Sequence, residues 1–297
     1  MNMAKAYLEA VGGLSGDIML GVLVDAGLPV EALTEMIEAL GLSDEVRVSA
    51  RPLSKCGISA TKVDVDRVEH HHHHHHHDEH DHEHEHEHAH GRSAAELIAV
   101  VEAGKLDARV KERSVRIIRR LAEAEAKIHD TTPEEVHFHE LGGLDTIADV
   151  VGAIEGLRRL GITELHVAPL PIGHGWINCA HGRLPVPAPA TAALLSGIPT
   201  VAVDVEGETV TPTGAALVAE LADGFGRPRQ FVSGAIGYGA GNASFDPVPN
   251  VARLTIEVAG AQPHSAEATT VTLIEANIDD MSGELVPDAI DAALRAG

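Results

Sequence analysis

Fourteen of the chain's 21 histidines fall within residues 70–90. The first eight, His70, His71, His72, His73, His74, His75, His76 and His77, are unbroken; His80, His82, His84, His86, His88 and His90 then alternate with acidic residues. Neutral imidazole favours nickel, copper, zinc and cobalt over magnesium or calcium, and neighbouring carboxylates add oxygen donors that help hold a dication. A row of histidines is ordinarily an expression tag. This run is internal, however, and continues through Asp78, Glu79, Asp81, Glu83, Glu85 and Glu87, so it reads as a metal reservoir. With Ala89 its only apolar residue, the tract cannot offset its ordering entropy, which predicts a loop that stays disordered until metal binds.

Two further clusters carry imidazole. In the run VHFHE, an extended backbone would put His137 and His139 on one face and Glu140 on the other. Two imidazoles so placed make a bidentate metal site or an acid/base pair, with an ordinary structural pair as the competing reading. The segment from Pro171 to Arg183 holds His174, Cys179, His181 and Arg183, which are nitrogen and sulfur donors beside a guanidinium suited to phosphate. It lacks the C-x-x-C zinc spacing, and a glycine-rich loop with a small buried thiol remains open. Two loops ahead of helices could offer N–H groups to a phosphate. One is Gly12-Gly13-Leu14-Ser15-Gly16-Asp17 and the other Thr211-Pro212-Thr213-Gly214. Neither matches a P-loop or a dinucleotide fingerprint, and each alone is more often a turn. The pair Asp279-Asp280 either holds a divalent ion or ends a strand.

The chain has 297 residues, 44% of them hydrophobic, enough for one large or two medium domains. One Trp, two Tyr and four Phe mean that the core must be aliphatic. A formal charge of -23, from 45 acidic against 22 basic residues, argues against a nucleic-acid surface and for a cationic partner. Two cysteines are too few for a disulfide scaffold, and no secretory leader or apolar run of membrane-spanning length is visible, so the cytoplasm is the expected location.

The elements that must position these groups begin with a strand at 4–10, a glycine turn and a helix from about 17 to 26, the opening of an α/β unit. A helix at 30–40 follows, started by Pro29 and stopped by Gly41, then strands at 45–51 and 58–68, so the histidine tract is a loop inserted after a strand. Helices are expected at 93–103, where Ser93 and Glu96 form a capping box, and at 107–128, with Val110, Val115, Ile117, Ile118 and Leu121 on the apolar face. A helix at 144–160 and a strand at 164–168 come next. Beyond Pro169, prolines and glycines break up short apolar runs, with helices at 189–195 and 214–221, and the texture becomes irregular α+β. A strand at 251–258, a small-residue linker at 259–268, a strand at 270–276 and a final helix close the chain. A strand and a helix cannot bury their apolar faces alone, so this last part is expected either to open a domain that is missing here or to dock on the body or on a second chain.

The ordered set VGGLSGDIMLGVLVDAG, a histidine-rich insertion, VHFHELGGLDTIADVVGA, PLPIGHGWINCAHGRLPVPAPAT, TVTPTGAAL, GYGAGNASFDPVPNVARL and NIDDMSGE closely resembles the nickel insertion proteins of the lactate racemase system, from about residue 4 to the end. The resemblance implies insertion of nickel into pyridinium-3,5-bisthiocarboxylic acid mononucleotide, with consumption of CTP alongside a divalent cation. It implies lactate racemase or a related nickel-pincer enzyme as recipient of the product. It also implies a main body at 1–258, an α/β to α+β unit carrying the 70–90 loop, and the start of a truncated C-terminal domain at 269–297, with a separately encoded C-terminal domain among the partners.

On this reading the tract, His174 and Cys179 handle nickel, and His137, His139, Glu140 and His181 form the catalytic group. Ser15, Gly16, Asp17, Arg183, Thr211, Thr213 and Gly214 hold the nucleotide. A nickel storage or delivery protein without turnover is the rival. A zinc hydrolase fits less well, because H-x-H-E lacks the H-E-x-x-H helical spacing.

Overall fold

The computed structural model describes residues 4–68, 92–134, 136, 143–179, 182–258 and 282–296. The chain divides into two compact units, Met1–Ala261 and Gln262–Gly297. In chain order the first contains β1 (Ala4–Ala10), α1 (Gly16–Asp25), α2 (Val30–Leu40), β2 (Val46–Lys55), β3 (Ile58–Arg67), α3 (Ala94–Ala103), α4 (Ala108–His129), α5 (Leu144–Arg159) and β4 (Ile162–Val167). It continues with β5 (Leu170–His174), β6 (Trp176–Cys179), β7 (Gly182–Pro185), α6 (Pro189–Leu194), β8 (Thr200–Glu206), α7 (Pro212–Leu221), β9 (Gly224–Phe225), β10 (Ser233–Ala240) and β11 (Val251–Glu257). Within the second unit, a short turn of 3-10 helix at Gly283–Leu285 leads into α8 (Val286–Ala296).

The α/β to α+β reading holds: a mixed seven-stranded sheet, ordered β2-β3-β10-β11-β1-β4-β9, carries flanking helices. β1 lies parallel to β4 and antiparallel to β11, while β10 pairs parallel with β3. Alternation along β1 sends Ala4, Ala6, Leu8 and Ala10 into the core and leaves Lys5, Tyr7 and Glu9 on the opposite face. The expected apolar face of α4 is buried, and the Ser93–Glu96 capping box is present. β2 runs to Lys55, past the expected end at Arg51, through Pro52. A proline is tolerated there because β2 is an edge strand.

The strands β5 to β10 were not expected, and their sequences explain why. β5 with β8 and β6 with β7 form separate two-stranded sheets: β5, β6 and β7 are short, with prolines and glycines in or beside them, whereas β8 alternates Val201, Val203 and Val205, a signal the sequence reading passed over. β10, SGAIGYGA, is glycine-rich because α1 crosses it backbone to backbone: a Cβ at Gly239 would run into the Ile18 carbonyl, and one at Gly21 into that of Thr61. Asp25, at the end of α1, accepts hydrogen bonds from Thr61 Oγ1 (2.7 Å) and from the Tyr238 N–H (2.8 Å), which fixes the helix over β3 and β10.

A second close contact lies at the other end of α1. Leu14 forms a parallel bridge with Val210; its N–H donates to Thr209 O (2.8 Å) and its carbonyl accepts from the Thr211 N–H (3.1 Å). A side chain at Gly13 would strike the Thr209 carbonyl, and one at Gly214 the Leu14 carbonyl. Gly13→Ala should therefore cost about 1–3 kcal/mol of folding free energy through overpacking. At Gly41 nothing lies within 4 Å and only the φ of +73° opposes a Cβ, so Gly41→Ala should cost about 1–2 kcal/mol through the left-handed backbone alone. Urea unfolding of both variants measures the costs, and a Gly13→Ala as stable as wild type would contradict the seam.

Candidate functional site

The seam sets the start of α1 beside β3 and α5, where one lysine meets a group of carboxyl side chains. Lys62 of β3 is 2% exposed. Its ammonium pairs with Asp17 Oδ2, donates to Val63 O at 2.9 Å and stands 3.6 Å from Asp64 Oδ1. Ser15, at the N-terminal cap of α1, donates its hydroxyl to the other oxygen of Asp17, and its side chain does not cap the helix. A lysine this buried requires paired carboxylates, so Asp17 is held at the helix start by the ion pair and by the favourable helix dipole.

Asp149 projects from α5 against Gly16, where a Cβ would collide with its carboxyl group. The glycine thus makes room for an acid. Burial pushes the Asp149 carboxyl well above the ordinary carboxylate range; nearby Asp17 and Asp145 push it further, and Lys62 opposes them. Its Oδ1 is buried without a hydrogen-bond partner. Asp145, one turn earlier on the same helix face, is also raised, mainly by burial, against hydrogen bonds from its own N–H and that of Thr146 and the charge of Arg67.

These groups line a cleft of about 980 Å³. Asp64 and Asp66 continue along the same strand, Glu125 and His129 enter from α4, and Ile177, Asn178, Cys179 and Leu184 come from the β6–β7 hairpin. Glu208, Thr211 and Thr213 close the side next to the seam. A cleft of this size accommodates a nucleotide-sized ligand, and its carboxylates suit one that arrives with a cation.

The family described as "Nickel insertion protein" matches residues 6–297. The chain belongs to the nickel insertion protein family. A protein of Geotalea uraniireducens (strain Rf4) named for nickel insertion is 42% identical over 296 residues, covering 99% of this chain and 70% of that protein. The pyridinium-3,5-bisthiocarboxylic acid mononucleotide nickel insertion proteins of Desulfitobacterium hafniense strains DCB-2 and Y51 are 41% and 40% identical, covering 99% of this chain and 69% of each relative. No solved structure matches.

In this member of the nickel insertion family, Ser15, Gly16, Asp17, Cys179, Thr211 and Thr213 line one cleft, although the sequence presents them as three separate segments. Gly214 lies in the seam and donates its N–H to Thr211 Oγ1 (3.2 Å). Cys179 Sγ donates to Gly182 O (3.4 Å). His174 is 3.1 Å from Asp204, and the Arg183 guanidinium lies over the Trp176 ring, 5.2 Å from its centroid; neither is among the lining residues. The histidine tract, His137, His139, Glu140, His181, the 270–276 strand, Asp279 and Asp280 lie outside the described residues. Among the described residues, no group of three or more His, Cys, Asp or Glu is placed to hold a metal ion, and no helix is long and apolar enough to cross a membrane.

The sequence reading missed Lys62, Asp64, Asp66, Asp145 and Asp149 as site residues. Their spacing carried the signal: 62, 64 and 66 alternate with valines on one strand face, and 145 and 149 share a helix face. The raised proton affinity of Asp149 has a measurable consequence for stability. Above the ordinary carboxylate range the native state binds more protons than the unfolded chain, so stability falls as pH rises through that window. Asp149→Asn, neutral throughout, should gain thermal stability relative to wild type from acid towards neutral pH. A relative loss would mean that the carboxylate is held ionised.

Proposed function

We propose that this chain inserts nickel into pyridinium-3,5-bisthiocarboxylic acid mononucleotide, consuming CTP with a divalent cation. The resulting nickel-pincer nucleotide serves lactate racemase or a related enzyme. The observation that carries the reading is the acid-lined cleft in a chain of the nickel insertion family. The named substrate places two thiocarboxylates on either side of one ring carbon. A nickel ion held by both sulfurs sits against that carbon, and bonding to it requires loss of the ring proton. The site must therefore supply nickel, seat a mononucleotide and remove a proton.

For nickel supply, support comes from the flanks of the histidine tract. Val68 donates its N–H to Glu45 O (2.9 Å), and Arg92 donates to both carboxylate oxygens of Glu45 (2.7 and 2.9 Å). Both ends of the tract are thus tied to one residue. Val68 is two residues beyond cleft-lining Asp66, and Arg92 packs near Gly143, two residues before cleft-lining Asp145. Metal gathered by imidazoles between these anchors is released beside the cleft. In this reading His137, His139 and His181 relay nickel to the substrate sulfurs, Cys179 is a transient soft ligand, and the Thr211–Gly214 turn meets phosphate.

The test is mass spectrometry of the mononucleotide after incubation with the chain, nickel and CTP, with and without residues 70–90. The full chain should yield nickelated product. The deletion should stay within about threefold of it at saturating nickel and fall about tenfold or more when nickel is scarce. A chain that binds nickel through the tract yet makes no product under either condition would be a carrier.

A further inference from the structure

We propose that Asp149 accepts the proton that leaves the pyridinium ring carbon as nickel takes its place. The proposal rests on the insertion reading above and names a group that reading leaves open, since the imidazoles and Glu140 suggested by the sequence lie outside the described residues. In the step, the ring C–H bond breaks, its electron pair becomes the carbon–nickel bond, and the proton passes to Asp149 in its ionised form, which the positive charge of the bound nickel and pyridinium ring favours. Nickel stays divalent, and no oxidant or reductant is needed.

Three observations single out this carboxyl. It belongs to the cleft wall and stands on α5, a sixteen-residue helix packed on α1, α2 and α4, so its position is rigid. The fold also gives up a side chain at Gly16 to admit it. Finally, it is the uncommitted acid of its group. Asp17 accepts from Ser15 and Lys62, and Asp145 Oδ1 accepts the Thr146 N–H (3.1 Å), whereas Asp149 Oδ1 is buried without a partner. Buried polar atoms are ordinarily bonded, and an exception in a cleft wall points to a role with ligand present.

The charged groups acting on Asp149 are Asp17 from α1, Lys62 from β3 and Asp145 from its own helix; α4, packed on α5, brings Glu125 and His129 to the same cleft, and the start of α7 brings the neutral Thr211, Pro212 and Thr213. Burial, with two negative neighbours against one cation, raises its affinity for a proton, which favours a proton acceptor.

The experiment compares wild type, Asp149→Asn and Asp149→Glu in single-turnover nickel insertion, using mononucleotide deuterated at the ring carbon. Nickel and mononucleotide binding and thermal melting are followed in parallel. Asp149→Asn should remain folded and bind both ligands within about threefold of wild type, yet insert nickel about 100-fold more slowly and lose the rise in rate from acid to neutral pH. Asp149→Glu should recover part of the rate. Wild type and Asp149→Asn inserting at the same rate with the same pH profile would overturn the proposal and leave the insertion reading standing. A wild type that neither binds the mononucleotide nor forms product would overturn both. If wild type binds both ligands without product, release of ring deuterium into water decides: release that is lost in Asp149→Asn supports the proposal, and release unchanged in the variant, or absent from wild type, overturns it.

Discussion

Two stretches of backbone, Gly13–Leu14 and Thr209–Val210, meet with no side chain between them, and the rest of the cleft is hung from that contact. The contact places the start of α1 against the start of α7, and Asp25 with Thr61 and Tyr238 holds the far end of α1 on the sheet. With both ends fixed, Ser15, Gly16 and Asp17 can face only β3 and α5. The geometry of the cleft is therefore inherited from a steric requirement for glycine at the seam.

Electrostatics then decides what the cleft can hold. Burying Lys62 is tolerable only beside carboxylates, and Asp17 with Asp64 supplies them. Asp66, Glu125 and Glu208 give the lining a negative character, and Asp145 and Asp149, whose proton affinity is raised, add to it when they ionise. An anionic mononucleotide is poorly matched to such walls unless a dication comes with it. Under the proposed function, nickel would then be a condition of the substrate's fit as well as its reactant.

Most of the fold was legible in the sequence because the first half obeys simple rules. The strand at 4–10 alternates, the helix at 30–40 is bounded by Pro29 and Gly41, and the long helix keeps one aliphatic stripe. The second half departed where backbone contact replaced side-chain patterning: β10 carries glycines that α1 demands, and β5, β6 and β7 are too short to show a period. At the site, residue type and glycine placement identified Ser15–Asp17 and Thr211–Thr213, but nothing in one dimension says that these loops touch. The acids missed were those whose meaning lies in company, since Asp149 reads as an ordinary helix surface residue until Gly16 and Asp17 are seen against it.

The most direct test of the central claim, that the chemistry occurs in this cleft, is a crystal structure of the chain with nickel and the mononucleotide, with the metal located by anomalous scattering. The account predicts the pyridinium ring and a nickel peak in the cleft between the start of α1, Asp149 and the β6–β7 hairpin. Substrate and metal bound instead in the smaller cleft of about 480 Å³ lined by Arg109, Arg113 and Arg158 would contradict it.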